Sequence, residues 1–388
     1  MFIIMGNKTV AIEDIPLIAL INILCPNAST SKDVKDCLNL YDILPEIAPI
    51  VQPLSTGATV FLVVCYAIVF VLALIGNSLV VIVIMRRRCM RTVINMFILS
   101  LAVSDLLIVV FCIPFTLVET ITIDWVLGSF MCRALNYIAM VAIVVSTLTL
   151  LVIAVERHHA ICYPLRARMI KNPRRAGWLV ALLWGISMCL VSPLLFVLKV
   201  IEHTDSISDV IQLRSYKFCQ EQWRSQQDKN HFTLFLVVFL YIIPLITMII
   251  LYLRVANQLW VRKAVAPGDI PRSKASNACS LRYKKRATKM LITVVVLFAI
   301  CWLPYHIVSL IRDFTQLIDT GPNRLMLAIV QLIGFSNSFN NPVVYVFLNE
   351  NFKRNFLRTL TVVRRNKRTR GKKSSSGAFP PYNVATTL

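Results

Sequence analysis

The sequence predicts an all-α membrane protein: a seven-transmembrane helix bundle followed by a short amphipathic eighth helix. Three observations predict it. The 388-residue chain is 57% hydrophobic with a mean hydropathy of +0.69, too apolar for an ordinary soluble domain. Seven apolar stretches, at roughly 58–85, 92–119, 129–161, 175–198, 232–260, 285–312 and 322–348, are each long enough to cross a bilayer, which takes about 20 mostly apolar residues. Lys and Arg, which give a net charge of +22, crowd the connections after the first, third and fifth stretches and the C-terminal tail. Seven crossings put the ends on opposite faces, and the basic connections mark the cytoplasmic side. The N-terminus is therefore expected outside and the C-terminus inside, in the plasma membrane. Juxtamembrane charge facing anionic lipid accounts for the isoelectric point of 9.8, and no nucleic-acid partner is implied.

Residues 1–57 form the expected extracellular arm. They carry two glycosylation acceptors, at Asn7 and Asn27, and acids at Glu13, Asp14, Asp33, Asp36, Asp42 and Glu46 against Lys8, Lys32 and Lys35. The apolar run Ile15–Ile21 follows two acids and lacks a basic start, so it reads as part of an uncleaved arm and not as a signal-peptide core. Cys25 and Cys37 are both outside and close in sequence, a candidate pair.

The bundle, 58–348, carries polar residues at bilayer depth, and each needs a reason. Asn77 lies in the first span, Asp105 in the second, Ser146 in the third, and Asn337, Ser338, Asn340 and Asn341 in the seventh. A carboxylate at Asp105 must face the bundle and find partners or a cation. Asn77, Ser146, Ser338 and Asn341 could surround it in one water-filled cavity, or the set could be a purely structural hydrogen-bond network. The third span opens with Cys132, and Cys219 lies in the long outer loop before the fifth. In an oxidising compartment these two are expected to form a disulfide that pins the loop over the bundle mouth. Most of the other cysteines lie in spans, where a thiol is a small apolar residue.

The inner end of the third span reads Glu156-Arg157-His158. An Arg at the membrane edge is usually a snorkelling anchor. Here an acid precedes it, so the pair could screen itself and release Arg157 as a switch. Mid-span prolines at Pro244, Pro304 and Pro342 each remove a backbone bond and predict kinks in the last three helices. Residues 349–361, including Phe352-Lys353-Arg354-Asn355-Phe356-Leu357, read as the amphipathic helix. Residues 362–388 read as a disordered cytoplasmic tail. It ends Thr386-Thr387-Leu388, a hydroxyl and an apolar terminus of the kind a PDZ scaffold takes up as an added strand.

Taken in order, these residues resemble the rhodopsin-like (class A) G-protein-coupled receptors over about residues 58–360. The resemblance rests on Gly76-Asn77, Leu101-Ala102-Val103-Ser104-Asp105, Trp125 and Gly128 before Cys132, and Glu156-Arg157-His158. It continues through Trp184, Pro244 with Tyr252, Cys301-Trp302-Leu303-Pro304 and Asn341-Pro342 with Tyr345. Two features depart from the pattern. His158 stands where Tyr is commoner, and no cysteine follows Cys301 to carry a palmitoyl anchor.

The resemblance implies an extracellular ligand, a heterotrimeric G protein and an arrestin as partners. It implies no cofactor beyond an allosteric sodium ion at Asp105, Ser146, Ser338 and Asn341, and a switch made of Glu156, Arg157, Tyr252, Asn341 and Tyr345. Amine receptors of this kind hold their ligand on an Asp where this chain has Ala139, and opsins need a Lys where it has Phe335. What remains is similar to peptide receptors. Thr92–Ser100, Pro114–Glu119 and Gln258–Lys263 resemble the RFamide (neuropeptide FF and QRFP) and cholecystokinin group. That likeness implies a C-terminally amidated RFamide-like neuropeptide, with a cholecystokinin-like or orexin-like peptide as the alternative. It matches Asp313 to an acid that meets the peptide's Arg, a sound bidentate pairing, although Asp313 could instead neutralise Arg312 in solvent. Glu119, Glu202 and Glu221 are further acids. Gln331, Tyr305, His306 and Asn136 should line the pocket, with Trp302 at its floor.

Rival classes lack their signatures. The sequence holds no His-Glu-x-x-His, Gly-x-Ser-x-Gly or phosphate loop, and the adjacent His158 and His159 point about 100° apart on a helix. An enzyme is not expected. A transporter would be expected to show paired halves, and the seven spans do not repeat.

Overall fold

The computed structural model describes residues 2–5, 8–11, 54–86, 90–122, 124–164, 173–208, 211–260, 271–315, 321–348 and 354. The glycosylation acceptors Asn7 and Asn27, the Cys25/Cys37 pair, the amphipathic helix apart from residue 354, and the tail with Thr386 and Leu388 lie outside the described residues.

Seven long helices form the bundle: α1 (Thr56–Arg86), α2 (Val93–Thr122), α3 (Gly128–Cys162), α4 (Pro173–Val191), α5 (Gln226–Trp260), α6 (Pro271–Thr315) and α7 (Gly321–Leu348). Two antiparallel hairpins accompany them, β1 (Phe2–Met5) with β2 (Lys8–Ala11), and β3 (Leu198–Ser208) with β4 (Ile211–Glu221). α1 packs on α2 and α7, α7 on α6, and α6 on α5, while α3 touches α2, α4 and α5. Side chains such as Ile300, Leu253 and Phe61 stay more than half exposed. Such an apolar exterior suits lipid, where helices satisfy their own backbone groups.

Among the described residues, six helices are long and apolar enough to cross a membrane, and α7 is not one of them. The reason is visible in the packing. α7 turns Asn337, Ser338 and Asn341 inward, each 4% exposed or less. Its polarity belongs to the bundle interior and not to water.

Local chemistry sets the helix ends and bends. Thr92 caps α2 by accepting from the Asn95 N–H, and Ser225 caps α5 by accepting from the Asp228 N–H. Pro173 occupies the first position of α4, where no donor is missed. Two π turns, Ile108–Cys112 in α2 and Val238–Ile242 in α5, end two residues before Pro114 and Pro244 respectively. A proline ring clashes with the carbonyl four residues back. Here those carbonyls belong to Val110 and Leu240, inside the widened turns. The sequence marks Pro244 as a bend, but neither π turn was legible in it.

Pro342 leaves the Ser338 carbonyl without its helical donor. Asn77 supplies one: its Nδ2 donates to Ser338 O at 2.8 Å, and to Ala73 O at 3.0 Å within α1. Beside it, Gly76 permits the approach. A Cβ there would lie 2.9 Å from the Pro342 Cβ.

Candidate functional site

The outer mouth is built first by the β3–β4 hairpin. Cys132 at the head of α3 is bonded to Cys219 of β4, as expected. Further ties fix the hairpin's base. The Trp125 N–H donates to Lys217 O at 2.7 Å, the Lys217 N–H to Asp124 Oδ1 at 2.7 Å, and Arg133 Nε to Leu198 O at 3.1 Å. Trp125 is buried and its indole donates to Gly128 O at 2.9 Å. Gly128 opens α3 with φ of +75°, a conformation that costs glycine little. The motif Trp125-x-x-Gly128-x-x-x-Cys132 is thus one structural unit that seats the hairpin.

Beneath the hairpin lies an outer chamber of about 550 Å³, narrowing to an inner one of about 130 Å³. Thr116, Glu119, Asn136, Glu221, Tyr305 and Gln331 line both. Trp302 and Phe335 line only the inner one, which makes Trp302 the floor. Gly334 lets the Trp302 indole lie on α7, since a Cβ there would sit 3.0 Å from the ring. Asn136 donates to Cys132 O at 2.9 Å and Glu221 accepts from the Trp223 indole at 2.7 Å. Six of the residues named from the sequence, namely Glu119, Asn136, Glu221, Trp302, Tyr305 and Gln331, therefore share one funnel.

Glu202, which lies on β3, His306 and Asp313 do not line it. His306 packs on Tyr241, with ring centroids 4.4 Å apart, and on Trp302 and Tyr305. Asp313 is 4% exposed and lies behind the wall. Its Oδ1 meets Lys229 Nζ at 2.9 Å and Arg312 Nε at 3.6 Å, and its Oδ2 accepts from Thr233 at 2.7 Å. Its backbone carbonyl accepts from Gln226 at 2.8 Å. Lys229 and Arg312 do line the outer chamber. Sequence reasoning missed Lys229. The available signal was the polar spacing Gln226, Lys229, Asn230 and Thr233, one helical face at the head of an apolar span.

Midway down the bundle, Asp105 is fully buried and its Oδ2 accepts from Asn341 Nδ2 at 3.0 Å. Its Oδ1 is buried with no hydrogen-bond partner among the described residues. Ser146 bonds Ser104 at 2.9 Å, next to Asp105 in sequence, and Ser338 is buried on α7 against the same carboxylate. At the inner end, Arg157 of α3 lies within electrostatic reach of Tyr252 of α5, and Tyr252 within reach of Tyr345 of α7. Glu156, next to Arg157 in sequence, is half-buried. Lys285, in the basic inner part of α6, rests 5.1 Å from the Trp260 ring at the end of α5.

Comparison with known proteins places this geometry. The family model described as "7 transmembrane receptor (rhodopsin family)" matches residues 76–345. The chain is 45% identical over 312 residues to a QRFP-like peptide receptor of Branchiostoma floridae, covering 80% of each. It is 38% identical over 296 residues to the pyroglutamylated RF-amide peptide receptor of Mus musculus, covering 75% of this chain and 67% of that one. It is 34% identical over 322 residues to the neuropeptide Y receptor type 2 of Cavia porcellus, covering 80% and 81%. The QRFP kinship was expected from the motifs. The neuropeptide Y kinship was not.

Proposed function

The chain belongs to the rhodopsin family of seven-transmembrane receptors, and from that membership we propose that it is a cell-surface receptor for an extracellular peptide ending in Arg-Phe-amide. Its N-terminus is outside, and binding is passed to a heterotrimeric G protein at the inner face. One observation carries the ligand class. Glu119 and Glu221 stand on the wall of a funnel whose floor is Trp302 and Phe335. A guanidinium suits the acids, an aromatic ring suits the floor, and Asn136 and Gln331 offer amides to a terminal carboxamide. The relative of Mus musculus named for a pyroglutamylated RF-amide peptide supports the same class.

The test is a panel of amidated peptides on cells expressing the chain, read as nucleotide exchange on the G protein. Activation by Arg-Phe-amides at low concentration is the expected result. A response to another peptide class, with none to these, would overturn the ligand assignment.

Asp105 supports a second ligand, a sodium ion. Its Oδ1 is buried with no hydrogen-bond partner among the described residues, the Ser338 hydroxyl lies against the same carboxylate, and the Ser146 hydroxyl is one hydrogen bond away, on Ser104. A hard cation prefers such oxygens. An arrestin, and a PDZ-type scaffold reading Thr386 and Leu388, complete the proposed partners. Capture of scaffold domains by the last ten residues, lost in a Leu388→Ala peptide, tests the latter.

A further inference from the structure

Four consecutive facts about the outer ends of α5 and α6 go together. First, Asp313 is buried but sits one side chain behind the chamber wall, because Lys229 and Arg312, which touch it, line the chamber. Second, the first two turns of α5 clasp it from one face: Gln226 on its carbonyl, Lys229 and Thr233 on its carboxylate. Asn230, on the same face, reaches the Asp313 carbonyl at 3.1 Å when its amide is turned to donate. Third, Lys229 is the partner with a long flexible stem and a single charged head. Fourth, the wall acids Glu119 and Glu221 line the same outer chamber as Lys229 and Arg312.

We propose that Lys229 is an internal competitor for the ligand's cation: it occupies Asp313 in the free receptor and is exchanged for an incoming guanidinium. This rests on the Arg-Phe-amide reading above. A buried carboxylate is costly without a partner, so it keeps one at all times. A guanidinium can replace the ammonium with two parallel bonds where Lys makes one contact. The exchange frees Lys229 and loosens the outer end of α6 from α5, so recognition of charge is coupled to helix position. Lys229 is therefore a specificity-determining residue that lowers affinity for every ligand lacking a group able to displace it.

The experiment uses full-length receptor variants and two probes: a synthetic peptide ending in Arg-Phe-amide, and the same peptide with citrulline in place of Arg. Lys229→Gln keeps a hydrogen bond to Asp313 and removes the competing charge. It should tighten binding of the Arg peptide roughly tenfold and leave the citrulline peptide unchanged. Lys229→Arg installs a stronger competitor and should weaken the Arg peptide, again without moving the citrulline one. Surface expression is measured for each variant, so that a folding defect is seen as such. Equal shifts for both peptides, no shift, or weaker Arg binding in Lys229→Gln would overturn the exchange while leaving the receptor's ligand class standing. An Arg peptide that does not act on the unmodified receptor would overturn the ligand class and the exchange together.

Discussion

Single side chains do the joining in this bundle. Asn77 bonds the carbonyl that Pro342 strands, and Gly76 lets the two helices meet there. Gly76→Ala should force α1 off α7 and cost about 1–3 kcal/mol, the usual range for overpacking. Gly185→Ala, where an added Cβ meets nothing within 4 Å, is the control and should be neutral or slightly stabilising. Thermal melting of the solubilised receptor separates the two, and equal melting temperatures would mean the α1–α7 contact is not tight. At Asp105, sodium should lower agonist affinity, and Asp105→Asn should abolish that dependence. Agonist titrations in sodium and in a bulky organic cation at equal ionic strength measure it; matching affinities in wild type would leave the network purely structural. On the funnel wall, Glu119→Gln and Glu221→Gln should each weaken an Arg-terminated amide about tenfold, and the citrulline form much less.

Among the elements, the β3–β4 hairpin has the most to lose from one bond. It is held by the disulfide, by backbone bonds to the α2–α3 connection and by Arg133. The backbone bonds reach only its base, near Val200 and Cys219, which face each other in the register. Cys132→Ser and Cys219→Ser should therefore each lose peptide binding at the surface, and the double variant should lose no more than either single one. Retained binding by both single variants at normal surface expression would show that the backbone ties suffice. The two π turns belong to the same scale. Each places the widened turn where a following proline needs room, which spares the helix a sharper break.

Across the molecule, the outer funnel, Asp105 and the Arg157 cluster lie along the same interior, walled mainly by α2, α3, α6 and α7. Arg157, Tyr252 and Tyr345 come from three helices and lie within electrostatic reach in turn, Arg157 of Tyr252 and Tyr252 of Tyr345, so a shift of any one helix changes what the others meet. We predict that Arg157→Ala keeps peptide binding and loses G-protein activation. Glu156→Gln should raise basal activity if the acid restrains Arg157 at rest. Radioligand binding and nucleotide exchange, run on the same membranes, check both; activation by Arg157→Ala at the wild-type level would remove Arg157 from the switch.

The sequence by itself determined the helices and their number, and set the expectation of inner and outer sides, because hydrophobic length and basic flanks are properties of the chain read in order. It also determined the Cys132–Cys219 tie, whose partners are singled out by compartment. It located Asp105 and Pro342 because a charge or a proline in a span is conspicuous anywhere, and Trp302 through the resemblance carried by Cys301-Trp302-Leu303-Pro304. Only the tertiary structure decided which acids face the funnel. Glu119 and Glu221 reach it, while Asp313 turns away into the α5 clasp. It alone decided that Asn77 would answer Pro342, and that the outer loop would be a hairpin. The physical reason is common to all three. A side chain's direction depends on the rotation of its helix and on what the neighbouring helix presents. Those contacts join residues such as Asn77 and Ser338, separated by 261 positions, which no local pattern connects.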